Sequence, residues 1–155
     1  MIELRDFVAS DGGLIREWIR SPEELLLWTA TNPSTGDPVG HASINLADPD
    51  VARMGRILID PDRRGHGLGN ALVRAVLSHA LSEMSIARID LGVFAHNIPA
   101  VRLYQRHGFE CHTLLRDVER IGETSWDAMQ MSLTRDRYNG LHRSPAPDIR
   151  RRVAP

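Results

Sequence analysis

Ile57-Leu58-Ile59-Asp60-Pro61-Asp62-Arg63-Arg64-Gly65-His66-Gly67-Leu68-Gly69-Asn70-Ala71-Leu72 is the stretch on which the reading of this chain turns. It runs from an apolar strand end through a turn and a glycine-rich loop into a helix. Glycines alternate at 65, 67 and 69, where the helix begins. Glycine lets the main chain take positive φ and approach a ligand closely. The first N–H groups of a helix have no internal acceptors and sit at the positive end of its dipole. An anion site, most naturally for phosphate, is the physical inference. Arg63 and Arg64 add positive charge at its edge.

Three phosphate-binding patterns compete for this loop. A P-loop requires G-x-x-x-x-G-K-[ST], and no Lys-Ser or Lys-Thr follows. A dinucleotide fingerprint requires G-x-G-x-x-G, but Asn70 stands where the third glycine belongs. Asp90, at a fitting distance downstream, lies inside a strand and not at its end. The third pattern, R/Q-x-x-G-x-G/A, is met by Arg64, Gly67 and Gly69. Alone it is also compatible with a glycine-rich turn before an ordinary helix.

Working outward, apolar residues at 68, 71, 72, 75, 76 and 80 predict a helix over Gly67–Met84. Arg88–Ala95 reads as a strand. Asn97 caps a following helix, Pro99 sits in its first turn, and Gly108 ends it. Phe109–Asp117 and Ser125–Leu133 read as two closing strands. Upstream, Ile2–Arg5 is a strand, a helix covers Leu14–Ile19, and Ser21-Pro22-Glu23-Glu24 opens a second one. Leu25–Ala30 and Val39–Leu46 form a hairpin about the turn-rich segment Asn32–Pro38, and Met54–Asp60 is the next strand. The expected class is α/β (α+β): a mixed, mostly antiparallel central sheet flanked by helices, in the order β-α-α-β-β-β-α-β-α-β-β.

A second motif follows at Asn97-Ile98-Pro99-Ala100-Val101-Arg102-Leu103-Tyr104, ahead of Gly108-Phe109. Asn97 and Tyr104 are two helical turns apart and share one face. With R-x-x-G-x-G before it and N-x-x-A-x-x-x-Y in order, the run from Ile57 to Phe109 resembles the GCN5-related N-acetyltransferase (GNAT) superfamily. The segment Gly122–Leu133 is similar, more loosely, to the branch that holds ribosomal-protein N-acetyltransferases.

The resemblance implies a cosubstrate and a set of roles. Acetyl-CoA is the implied cosubstrate, with no metal. The strand Ile57, Leu58, Ile59 would pair with the pantetheine arm. Main-chain amides from Gly65, His66, Gly67, Leu68, Gly69 and Asn70, with Arg64 at the edge, would hold the pyrophosphate. Asn97 would touch the arm, and Tyr104 would protonate the departing thiolate as general acid. An N–H near Leu58 or Ile59 would stabilise the oxyanion. Asn97 also suits a plain helix cap and Tyr104 plain core packing, roles that coexist with cofactor contact. Some relatives carry a glutamate general base five residues before the asparagine; Gly92 stands there. His41, Asp90, His96 and Glu24 are substitutes in chemical type only. The segment between the first two strands, which in relatives helps shape the acceptor pocket, is short.

Composition bounds the rest. The chain has 155 residues, 19 Lys+Arg against 20 Asp+Glu and a formal charge of −1, a poor match for nucleic acid or an anionic membrane. No apolar run is long enough to span a bilayer, and Met1–Asp6 lacks the layout of a signal peptide. The single cysteine, Cys111, forms no internal disulfide and is expected to pack in its strand; a cytoplasmic setting is the expectation. The histidines and Cys111 show no metal-ligand spacing. Trp18, Trp28 and Trp126 are expected in the core or a pocket wall. Residues 1–140 form one acetyltransferase domain in this reading, and 141–155, with four arginines and one acid, a flexible basic tail. The partner is a small-molecule or protein amine, and a homodimer is compatible with the resemblance. Two rival readings are a non-catalytic CoA-binding module and a nucleotide-binding domain.

Overall fold

Residues 3–6, 25–46 and 48–142 are described by a computed structural model. Two-residue alternation builds its sheet. In β5 (Arg88–Phe94), Ile89, Leu91 and Val93 are buried while Arg88, Gly92 and Phe94 are exposed. The other strands are β1 (Glu3–Asp6), β2 (Leu25–Thr31), β3 (Pro38–Asn45), β4 (Val51–Ile59), β6 (Glu110–Ile121) and β7 (Thr124–Thr134). They form one seven-stranded sheet in the order β1-β2-β3-β4-β5-β7-β6. Among the described strands only β4 and β5 run parallel. The mixed, mostly antiparallel α/β architecture expected from the sequence is the one observed. The helices expected over 14–19 and from 21 onward lie outside the described residues, as do Trp18, Glu24 and the tail from 143.

Helix α1 (Leu68–Ser78) lays Leu72, Val73, Val76 and Leu77 on the sheet, all fully buried. Cutting any such leucine back to alanine costs about 2–5 kcal/mol. The sequence predicts one helix to Met84, but the chain widens into a π turn over His79–Glu83. There the Met84 N–H reaches back to the His79 carbonyl at 3.1 Å. Helix α2 (Ile98–Arg106) buries Val101 and Tyr104 and ends at Gly108. Gly108 has φ +95°, and a Cβ there would collide with Leu141 and meet Leu133 at 3.3 Å, so only glycine fits the turn.

Three features depart from the sequence reading. β4 begins at Val51 and not Met54, because Val51–Arg53 pair with Arg88–Asp90. A third helix, α3 (Arg135–His142), follows β7 and takes in Leu141 and His142, which the sequence reading gave to the tail. Its signal was present: the Thr134 hydroxyl accepts from the Arg137 N–H at 3.3 Å, an N-cap. Finally, β6 is an edge strand exposed along its whole length, so Cys111 is exposed and not packed. β6 also runs past Asp117, where φ is +52°, and the Asp117 N–H is held by Asp127 Oδ1 at 3.1 Å.

Candidate functional site

The site begins where β4 and β5 part. Their ladder holds only from Val51↔Arg88 to Arg53↔Asp90. Beyond it, β5 stays with β7 as far as Phe94↔Ala128, while β4 stays with β3 as far as Ile59↔Gly40. On that side, the main-chain groups of Met54–Ile59 have no sheet partner. A bulge lies in the same stretch: Arg56 and Ile57 oppose the single residue Ala42, and Arg56 takes φ +49°. A non-glycine residue in that region costs about 1–3 kcal/mol, which the packing around it must supply.

The glycine loop closes one side of the gap. Asp60 Oδ1 accepts from the Asp62 N–H at 3.0 Å and starts a 3-10 turn over Pro61–Arg63. Gly65 and Gly67 follow with φ +81° and +77°. A Cβ at either would meet no atom within 4 Å, so the surface above them is open. The first bond of α1 runs from the Ala71 N–H to the Gly67 carbonyl at 3.1 Å. The amides of Leu68, Gly69 and Asn70 are therefore left without helical acceptors. Arg64 Nε donates to the Ile59 carbonyl at 3.3 Å. Arg63, expected to lend its charge to the loop, is drawn off instead by Asp60 at 3.5 Å and Asp37 at 3.7 Å.

Helix α2 closes the other side. Asn97 Oδ1 caps it by accepting from the Ala100 N–H at 3.3 Å, so the Asn97 Nδ2 donors stay available. Tyr104 is 8% exposed, with its ring edge-on to Phe109 at 5.8 Å. Burial pushes its phenol above the ordinary value near 10, so it holds its proton at neutral pH.

Between these walls lies a cleft of about 510 Å³. Of the sequence-predicted residues, Ile57, Leu58, Ile59, Arg64, Gly65, Gly67, Leu68, Gly69, Asn97 and Tyr104 line it. His66 and Asn70 do not; the exposed His66 ring instead faces the Arg63 carbonyl, Nδ1 to O 3.3 Å. Pro99, Ala100 and Leu103 line it too and were not singled out as site residues. For Ala100 the signal is the i, i+3, i+7 face it shares with Asn97 and Tyr104.

The substitutes for a base at position 92 are scattered or committed. His41 is buried on β3 and registers with Leu58. Asp90 is engaged by Arg88 and Ser132. His96 stacks on Phe94 at 5.7 Å and tilts against Trp126 at 4.6 Å. Among the described residues no group of His, Cys, Asp and Glu is arranged to hold a metal, and no helix is long and apolar enough to cross a membrane.

Comparisons with known proteins identify the family. The spermine/spermidine N(1)-acetyltransferase of Bacillus subtilis (strain 168) is 40% identical over an 82-residue alignment that covers 48% of this chain and 54% of that protein. The L-amino acid N-acetyltransferase AaaT of Escherichia coli (strain K12) is 34% identical over a 79-residue alignment that covers 48% of each chain. The chain thus spans about half the length of the curated relatives it matches. Spermidine N-acetyltransferase from Vibrio cholerae, solved with CoA and spermine, superposes with a TM-score of 0.78 at 18% identity, covering 88% of this chain and 97% of that one. That likeness speaks to the fold. The family model described as Acetyltransferase (GNAT) family matches residues 3–109, from the first strand through both motifs, and the chain belongs to that family.

Proposed function

We propose that this chain moves an acetyl group from acetyl-CoA to a primary amine by direct attack in a ternary complex, with Tyr104 as general acid. The observation that supports it is one cleft, at the split between β4 and β5, that gathers the glycine loop, Asn97 and Tyr104. The residues fit the cosubstrate. Gly65 and Gly67 leave open space where side chains would stand, and helix-start amides offer donors for a diphosphate. The unpaired edge of β4 at Ile57, Leu58 and Ile59 offers a ladder to an extended amide-bearing arm, and Asn97, whose cap uses only Oδ1, lines the same cleft. Acetyl-CoA supplies an activated thioester.

The chain's own groups then divide the work. The amine nitrogen bonds to the acyl carbon as the C–S bond breaks. A β4 main-chain N–H near Leu58 or Ile59 steadies the charge that gathers on oxygen. Tyr104 gives its proton to the sulfur and regains one from solvent, while the amine's surplus proton leaves through water. With glycine at position 92, no carboxylate takes that proton there. Small amines are favoured over a ribosomal-protein terminus as acceptor, because the relatives above are named for polyamines and amino acids. Self-association fits the same reading, since one related structure is described as dodecameric and β6 offers a free edge. The exposed thiol of Cys111 suits a reducing, cytoplasmic compartment.

Release of free CoA thiol, followed across a panel of amines, tests the proposal. Amine-dependent release is expected. CoA binding without turnover for any amine would overturn the enzymatic reading and leave a binding module; stabilisation by NAD or ATP but not by CoA would overturn the cofactor.

A further inference from the structure

The face of the sheet turned away from α1 and α2 carries a polar group at the mouth of the split. Ile89, Leu91 and Val93 point to the core, so Asp90, Gly92 and Phe94 project from the opposite face. Arg53 on β4 and Gln130 on β7 meet above Gly92, where Arg53 Nη2 donates to Gln130 Oε1 at 3.2 Å. A Cβ on Gly92 would stand 3.1 Å from that same nitrogen and 3.2 Å from Gln130 Nε2. The guanidinium therefore covers the one position of β5 that has no side chain, just past the last β4–β5 pair.

Arg53 is exposed, and among the described residues its hydrogen-bond partner is the neutral Gln130, with no carboxylate in ion-pair range. Its cross-strand neighbour Asp90 is fully engaged. Arg88 donates to both oxygens, at 2.9 and 3.0 Å, and the Ser132 hydroxyl donates at 2.7 Å. A solvent-reachable guanidinium fork that has no counter-ion among the described residues and is steadied by a neutral amide is suited to grip a carboxylate and repels ammonium groups.

We propose that Arg53, positioned by Gln130, binds an anionic group of the acceptor, so that the acetylated amine belongs to a molecule that also carries a carboxylate, as an amino acid does, and not to a polyamine. The inference rests on the acetyl-transfer reading and narrows its substrate. In that reading the cosubstrate takes the cleft on the helix side of the split, between the glycine loop and Tyr104, and the acceptor would enter from the Arg53 side. Anchoring its carboxylate there leaves its amine over the gap. Glycine at position 92 is part of the device, because a glutamate in its place would neutralise the guanidinium directly.

The test compares an L-amino acid, its methyl ester and spermidine, with acetyl-CoA as donor. The acid is expected to exceed the ester by about 10- to 100-fold in kcat/KM, through KM. In Arg53→Gln that ratio should fall toward one, and Arg53→Lys should restore part of it. A preference for ester or spermidine, or a ratio untouched in Arg53→Gln, overturns the inference while leaving acetyl transfer standing. Calorimetric titration of the same three amines into the CoA-bound protein reads the site without turnover. Carboxylate-dependent binding lost in Arg53→Gln supports the anion site even if no amine is acetylated, and absence of binding by the acid overturns it.

Discussion

Tyr104→Phe separates chemistry from packing at this site. The ring is buried and edge-on to Phe109, and phenylalanine keeps both contacts. Only the hydroxyl is lost, so stability should move by less than about 1 kcal/mol. Alanine would be uninformative, since emptying an aromatic site costs about 3–5 kcal/mol against a total of about 5–15. A positioned general acid contributes about 10²- to 10⁴-fold, or roughly 2.7–5.4 kcal/mol of barrier. The expected outcome is a loss of that size in kcat, with affinity for acetyl-CoA retained, read by thiol release and by calorimetry. The proton itself gives a second readout. Burial holds the folded phenol above its unfolded value near 10, so above that pH the unfolded chain loses its proton first and stability falls as pH rises. Tyr104→Phe should remove this alkaline loss. A kcat within about threefold of the parent, with the fold intact, would refute the acid role.

Gly67→Ala should cost about 1–2 kcal/mol of stability from φ +77° alone, and Gly67→Glu should in addition abolish CoA binding by placing a like charge beside the diphosphate; undiminished affinity in calorimetry counts against the loop assignment. Asn97→Ala should lose about 0.5–2 kcal/mol with the cap and also weaken CoA binding, whereas Asn97→Ser should recover the stability but not the affinity, as thermal melts and titrations will show. Burial, then the nearby His142, Arg106 and Arg74, hold His107 below its ordinary value of 6.5. As pH falls below 6.5 the unfolded chain takes up that proton first and stability drops, so His107→Leu should flatten the decline in Tm below pH 6.5.

Local chemistry was legible at particular residues. Gly67 and Gly69 marked a helix start with bare amides, Asn97 marked a cap, and the Asn97–Tyr104 spacing marked a shared face; each is a property of a few consecutive residues. The Thr134 cap was equally local and was passed over. Other features carried no local sign. The burial of His41, the exposure of Cys111 on an edge strand, and the capture of Arg63 by Asp37 each depend on segments far apart in the chain.

By itself the sequence determined the order of the strands and of α1 and α2, the glycine loop with its bare helix-start amides and the phenol two turns from the asparagine, because periodicity, capping and glycine conformation act over one or two turns of chain. Only the tertiary structure decided that β4 leaves β5 after Arg53, that a bulge at Arg56 falls in the gap, and that Arg53 reaches Gln130, 77 residues away, over the bare backbone of Gly92. Strand register and a bridge between distant strands are set by packing of the whole sheet, and no window of consecutive residues contains them.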